Sequence, residues 1–459
     1  MKIGVIRVSD FSLLRVFSLC DCRLSRVVPA GRAMPGAPAA RRPLVKLDFG
    51  VSILAPRTHI VHWNMEIAEK YQRQLLEQSR RLFHQTPISP ATEQAYLAHP
   101  RHLFVNRYRE WGSTQWHQVT AENLTQHLPT LYADKPLVLF GDDNNLLSTI
   151  SQPSFVLRML DLLQLQPGQS VFELGAGSGW NAALMGHLVG PAGRVFSLEI
   201  IPDLAAAAAK NIQRAGLTNV SLVAADGGDG YAPGAPYDRA IFTAGAYDLP
   251  RAFHDQLRDG GLLLAVIKLE GGGDSLFLLR KTGRHFESVE SMPCAFVQLM
   301  GKHQFGDLEP AAPNTLPGWP ELAAQTVSTT RFWWGGKGPE TFAWRTMGIR
   351  FFLSIAEPLF RGFKTEETAQ RPVEDHYFGL WDPEHRSLVL AKADGLTAYG
   401  NASAREQLLA RVRQWLDLGM PTVASFKLQV YPSDEPVETR ANQWIVKRRE
   451  SKFVWSLEA

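Results

Sequence analysis

Cysteine is scarce. The chain has three in 459 residues: Cys20 and Cys22 fall near its start, and Cys294 stands alone. No disulfide framework and no zinc-finger spacing can be assembled from them. Such usage suits a reducing compartment, and the expected location is the cytoplasm. Long hydrophobic runs are lacking as well. None reaches the length of a membrane span, so no membrane association is expected. Charge of one sign is also missing: 48 Lys and Arg stand against 45 Asp and Glu, a net of +3. That field is too weak to argue for a nucleic-acid partner. No internal repeat is visible.

The chain is long enough for two domains and globular in composition. Residues 1–64 are rich in Arg, with Pro and Gly between Pro29 and Pro43. Arg15 interrupts the apolar stretch Phe11–Cys20, which spoils it as a signal-peptide core. The segment reads as a disordered or targeting leader, or as translation from a start codon too far upstream. The second reading is preferred, because an amphipathic helix begins at Met65 and runs to about Phe83. A mixed segment follows to Leu147.

From Ser148 to about Gly301 short apolar runs alternate with helical segments. Strands are predicted at Ser170–Leu174, Arg194–Ile200, Val220–Ala225, Arg239–Thr243 and Leu262–Leu269. Helices fit Asn181–Val189, Pro202–Ala215 and Leu249–Leu257. The fold class that follows is α/β, a doubly wound Rossmann-like sheet covered on both faces. Two further runs, Ser275–Arg280 and Cys294–Leu299, have no helix between them and predict a closing antiparallel hairpin. Pro310, Pro313, Pro317 and Pro320 mark a linker. Beyond it lies an α+β unit, with strands expected at Ile349–Ile355, Tyr377–Trp381, Ser387–Ala391, Val423–Val430 and Trp444–Val446, and a helix at Ala402–Leu418. The expected domains are therefore a leader over 1–64, an α/β domain over 65–305 and an α+β accessory domain over 306–459.

The phrase Val171-Phe-Glu-Leu-Gly-Ala-Gly-Ser-Gly-Trp180 carries the first chemistry. A strand ends in Gly175-x-Gly177-x-Gly179 and a helix follows. Glycines let the backbone turn sharply and approach a ligand, and the helix start offers free N–H groups. Glu199 ends the second strand, where nucleotide sites place a ribose-hydroxyl acceptor. A dinucleotide reading is open in the shifted register Gly177-x-Gly179-x-x-Ala182. Against it stand Glu173 inside the first strand, the bulk of Trp180, and Asp226-Gly227-Gly228 after the third strand. Acids ending three successive strands suit a nucleoside with a charged amino-acid tail. Glu173 would orient the loop or meet the amino group, Glu199 take the ribose hydroxyls, and Asp226 the adenine amine. The plainer reading is that these acids cap helices or solvate strand ends.

Thr149-Ile150-Ser151-Gln152-Pro153 precedes the first strand. With Pro167-Gly168, Glu173–Gly179, Trp180, Glu199, Asp226-Gly227, Thr243-Ala244, Asp248 and Pro250, and Pro100-Arg101-His102-Leu103-Phe104 upstream, it resembles the protein-L-isoaspartate O-methyltransferases over about Met65 to Gly301. The resemblance implies S-adenosyl-L-methionine as methyl donor, bound by Glu173, Gly175, Gly177, Gly179, Trp180, Glu199, Asp226 and Gly227. It implies Ser151 as the acceptor-binding residue, supported by Thr149. The partners it implies are isoaspartyl-containing proteins or peptides, whose methyl ester collapses to a succinimide and so restores some normal aspartate. An acceptor carboxylate is already ionised at neutral pH, so no general base is needed. As plain structure, Ser151 would instead cap the helix opening at Pro153.

Departures from the family pattern are Tyr247, where a small residue or Pro is usual, Ser154, and Lys268 with Gly271–Gly273. They flank the acceptor side. Two other functions therefore stay open: methylation of one aspartate in a dedicated peptide, gated by the C-terminal unit, or a cofactor-binding adaptor that has lost catalysis. A nucleic-acid methyltransferase is disfavoured, because no Asn-Pro-Pro-Tyr phrase or catalytic Cys follows strand four. No metal is expected. His99 and His102 lack an acidic or Cys partner, and His376 and His385 read the same way. Trp319, Trp333, Trp334, Trp344, Trp381, Trp415, Trp444 and Trp455 could line a peptide groove, with core packing the commoner use. Lys447-Arg448-Arg449 reads as a solvated strand edge.

Overall fold

Apolar runs separated by helix-length segments give parallel strands, because a parallel connection needs a crossover long enough to hold a helix. Five strands follow this rule: β1 (Ser170–Leu174), β2 (Arg194–Glu199), β3 (Val220–Ala224), β4 (Tyr237–Ala246) and β5 (Leu257–Leu269). The computed structural model describes residues 56–141, 146–271, 273–305, 310–331, 342–364, 377–393 and 395–457. In it these strands pair in parallel in the order β5-β4-β1-β2-β3. The order reverses between β1 and β4, and a crevice opens there at the C-terminal ends of the strands. Residues 1–55 of the expected leader lie outside the described residues, as do Trp333, Trp334 and His376.

The sheet does not stop at β5. β6 (Gly273–Thr282) and β7 (His285–Cys294) extend it antiparallel. β7 then pairs Phe286 with Val430 and Glu287 with Gln429 of β8 (Phe426–Pro432). β9 (Gln443–Lys447) and β10 (Ser451–Leu457) complete ten strands. Strands from the expected accessory unit thus continue the sheet that carries the glycine loop.

Alternate side chains send the strands into two cores. Val171, Ile241, Leu264 and Val266 pack with the N-terminal helices, among them α1 (Pro56–Leu82), α2 (Pro153–Leu163) and α3 (Trp180–Val189). Phe172, Phe242, Ala265 and Ile267 pack on the other face, in one cluster with Ile349, Phe352, Phe378 and Trp455. α4 (Pro202–Arg214) links β2 to β3. The rest of the C-terminal unit is a five-stranded antiparallel sheet in the order 326–330, 395–399, 387–392, 377–382 and 360–363, with the helix Ser403–Asp417 against it.

Several expectations need correcting. α1 starts at Pro56, nine residues before Met65. Ile349–Ile355 is not a strand but most of the helix Met347–Ala356. It is buried nearly all round, so it lacks the polar stripe that marks a surface helix and cannot be told from a buried strand by periodicity. The second hairpin strand is His285–Cys294, more polar than the run Cys294–Leu299 chosen for it. The tryptophans that can be described pack: Trp455 against Phe277 and Phe351, Trp444 against Phe352 and Phe426.

Candidate functional site

A four-stranded sheet brings the Thr-Ile-Ser phrase to the crevice. Its last strand, Leu146–Ile150, runs antiparallel to Leu137–Gly141 and pairs Thr149 with Val138. Ser151 and Gln152 then turn the chain into α2. Arg101 fixes this turn from beneath. Its guanidinium is fully buried and donates to the carbonyls of Leu131 (2.6 Å), Lys135 (3.2 Å), Ile150 (3.2 Å) and Ser151 (3.1 Å). Burial lowers it to about 10, so it stays protonated at neutral pH.

Ser151 is not the cap of α2. Gln152 occupies the cap position without a side-chain cap bond. The capping anion comes from Asp134, which accepts from the Ser154 N–H (2.9 Å), the Ser154 hydroxyl (2.7 Å) and the Gln152 amide (3.0 Å). A carboxylate there meets both the orphan N–H groups and the positive end of the helix. Ser154, one of the departures, is thereby buried and accounted for. Among the described residues no group is shown bonding to the Ser151 hydroxyl.

The glycine loop folds back on β2. The N–H groups of Gly175 and Ala176 both donate to Leu198 O (2.9 and 3.0 Å), and Gly177 N–H donates to Glu199 Oε2 at 2.8 Å. Gly175 has φ +92°, and a Cβ on it would lie 2.4 Å from Thr243 Oγ1, so only glycine fits. Glu199 is buried at the end of β2, and its Oε1 accepts from Ile201 N–H at 3.1 Å. Burial pushes its carboxyl above the ordinary value, and the bonds from Gly177 and Ile201 work against that shift. Each oxygen keeps a lone pair for a further donor. Asp226 Oδ1 accepts from Gly228 N–H (2.9 Å) and Oδ2 from Lys302 N–H (2.8 Å).

Together these groups border one cleft at the C-terminal ends of the strands. Ser148, Thr149, Gly175, Gly177, Glu199, Asp226, Gly227, Thr243 and Ala244 line it, with Leu174, Leu198 and Ile200 as apolar wall. The remaining wall, Val297–Met300, was missed in the sequence. Gly245 holds that segment through its N–H to Val297 O (2.8 Å) and its carbonyl to Leu299 N–H (2.9 Å). The run is apolar because it covers the cleft, and that same property made it look like a strand.

Three expected cofactor contacts lie elsewhere. Trp180 is buried beneath the loop, its indole N–H donating to His99 O at 2.9 Å and its ring edge-on to Tyr96. Gly179, φ +80°, heads α3 and abuts Ala208. Glu173 is fully buried and does not line the cleft. Its oxygens accept from Asn181 Nδ2 (2.6 Å) and Ser197 Oγ (2.5 Å), so it braces α3 against β2. His99 is also buried, which lowers it to about 4. Among the described residues no group of three or more His, Cys, Asp or Glu is placed to hold a metal.

Burial pushes the Glu173 carboxyl up to about 7. A raised folded-state value means the fold binds this proton more tightly than the unfolded chain. The stabilisation is complete below the unfolded value near 4.5 and is lost as pH rises through about 7, a swing of about 3 kcal/mol. Glu173→Gln should therefore gain on the wild type in urea midpoint between pH 5 and pH 8. Parallel midpoint curves across that range would remove Glu173 as a titrating brace.

A turn of the C-terminal hairpin packs on the segment that follows β4. Asp248 accepts from Leu249 N–H (2.9 Å), Glu450 N–H (2.7 Å) and the Ser451 hydroxyl. His303 bridges Glu450 (2.9 Å) and Asp229 (3.0 Å). Lys268 pairs with Asp274 at 3.0 Å. The basic run is not a solvated edge throughout: Arg448 turns inward, its guanidinium 3.8 Å from the centre of the Tyr247 ring.

A family model described as protein-L-isoaspartate(D-aspartate) O-methyltransferase matches residues 117–304. A relative of that name, protein-L-isoaspartate O-methyltransferase, from Methanothrix thermoacetophila is 42% identical over 180 residues, 39% of this chain and 81% of the relative. Another, from Hyperthermus butylicus, is 35% identical over 270 residues, 56% of this chain and 98% of the relative. A solved structure of a protein so named aligns with 78% of this chain and 96% of its own, at 21% identity and a TM-score of 0.47.

Proposed function

The chain belongs to the protein-L-isoaspartate O-methyltransferase family, and from that premise we propose that it methylates the free carboxylate of L-isoaspartyl residues in proteins and peptides, a repair reaction. It is a methyltransferase, and its methyl donor is S-adenosylmethionine. The observation that carries the reading is one cleft bordered on one side by the Thr149 phrase and on the other by Gly175, Gly177, Glu199 and Asp226.

The lining fits the donor. Glycines at 175 and 177 bring bare backbone to the cleft, Glu199 and Asp226 offer acceptors for hydroxyl and amino hydrogens, and Leu198 and Ile200 give flat apolar contact. The donor supplies an electrophilic methyl on a sulfonium. The chain's contribution is positioning and exclusion of water. Ser151 donates its hydroxyl hydrogen to the acceptor carboxylate and turns one oxygen toward the cleft, without taking a proton. Thr149 supports it from the neighbouring strand. Val297–Met300 covers the reacting centre. No side chain is required as a base, since the acceptor arrives ionised.

We further place the protein in the cytoplasm, with no nucleic-acid partner. Among the described residues no helix is long and apolar enough to cross a membrane. The deciding experiment is methyl transfer from labelled S-adenosylmethionine to a synthetic isoaspartyl peptide, with its normal aspartyl isomer as control. Isomer-selective labelling is expected. Equal labelling of both isomers, or none with the cofactor bound, would replace repair with a dedicated peptide substrate or an adaptor role.

A further inference from the structure

A stack of flat groups runs from the C-terminal hairpin to the rim of the cleft. The Arg448 guanidinium carbon lies 4.3 Å from the centre of the Phe453 ring and 3.8 Å from that of Tyr247. Tyr247 in turn stacks on Phe305, with centroids 4.1 Å apart and planes 18° from parallel. Tyr247 is therefore covered on both faces, and the stack ends on Phe305, a ring with 43% of its surface exposed.

That outer end is joined to the cleft. The Phe305 carbonyl accepts from the side chain of Gln298, which lines the cleft. Gln298 bridges Gly245, and Tyr247 follows where β4 leaves the cleft wall. On the inner end, Arg448 donates to Lys268 O at 3.5 Å, while its Nε is buried without a partner. A planar guanidinium over an aromatic face is favourable and orients the ring. A large apolar ring left half in water, yet held in a fixed plane from behind, is a surface made for a second flat group.

We propose that the outer face of Phe305, backed by Tyr247 and Arg448, is the subsite for the residue flanking the isoaspartate, and that it selects an aromatic side chain there. The assignment rests on the methyl-transfer reading above. The acceptor carboxylate must enter the cleft, so the residues beside it lie across the rim, where Gln298 lines the cleft and its side chain meets the Phe305 carbonyl. Arg448 is a positioning residue, since it touches Tyr247 and not the acceptor.

The test compares two isoaspartyl peptides that differ only in the neighbouring residue, phenylalanine or alanine. Stacking predicts that the wild type favours the phenylalanine peptide about fivefold in kcat/KM, mainly through KM. Phe305→Ala should bring that ratio to about one. Phe305 is at the surface, so the melting temperature of the variant checks that it is folded. Arg448→Leu should lower the same ratio by raising KM for the phenylalanine peptide, a change that general loosening of the fold would not confine to one peptide. Equal wild-type values for the two peptides, or a preference undiminished in Phe305→Ala, would overturn the subsite and leave methyl transfer standing. Failure of the wild type to label either peptide would overturn both.

Discussion

Replacing Ser151 with alanine is expected to lower kcat for an isoaspartyl peptide about 100-fold while changing the Kd of S-adenosylhomocysteine less than about twofold. The split follows from where the residue sits. Its hydroxyl has no bonding partner shown among the described residues, so removing it leaves no protein donor or acceptor orphaned. Its backbone is held independently, by Arg101 through the carbonyls of Ile150 and Ser151, and the start of α2 is capped by Asp134. The turn should therefore survive the substitution. On the proposed reading, what is lost is one donor to the acceptor carboxylate, and such donors are worth roughly 10²–10³ in rate. Turnover at the wild-type level would take Ser151 out of the mechanism. An equal loss of cofactor affinity would mean that the turn itself had moved.

Glu199→Ala should behave in the opposite way. We expect the Kd of S-adenosylhomocysteine to rise about 100-fold. The carboxylate fixes the glycine loop through Gly177 N–H and the next loop through Ile201 N–H, and on the proposed reading its remaining lone pairs take the ribose hydroxyls. Hydrogen bonds to a charged group contribute about 1.5–3 kcal/mol each, so losing two to the ligand, at the lower end of that range, amounts to about 3 kcal/mol, or about 100-fold. Calorimetric titration of the variant measures this directly. A Kd within about threefold of the wild type would show that Glu199 only braces the loop.

The contrast between these variants tracks what was legible in the sequence. The parallel half of the sheet could be read because each strand and helix signals itself over 13 residues or fewer. The glycine loop and the acids ending β2 and β3 were legible for the same reason. Groups that act across long separations were not. Asp134 caps a helix 20 residues away, and nothing in its neighbourhood announces this. Trp180 follows the loop, a position that reads in sequence as a ligand contact, but helix geometry turns it into the core, where His99 O receives its N–H. Glu173 reads in sequence as orienting the loop or meeting an amino group, whereas the structure buries it between Asn181 and Ser197, where it braces α3 against β2. The apolar run ending at Leu299 looked like a strand because a cleft cover and a buried strand need the same residues. The inward turn of Arg448 depends on Tyr247 and Phe453, one of them two hundred residues earlier in the chain.

That separation has a consequence in time. Asp248 waits for Glu450 and Ser451, 202 and 203 residues further on. At roughly 5–20 residues per second, a ribosome needs roughly 10–40 s to make that stretch. Once Met300 has been made, the cofactor loop, the first five strands and the cleft wall can already exist, while the outer edge of β7 has no neighbour. An unpaired strand edge is a template for other chains. The moment of greatest exposure to aggregation thus falls during synthesis, between the emergence of β7 and the arrival of β8 and β10, and it ends when the last strands add to the sheet.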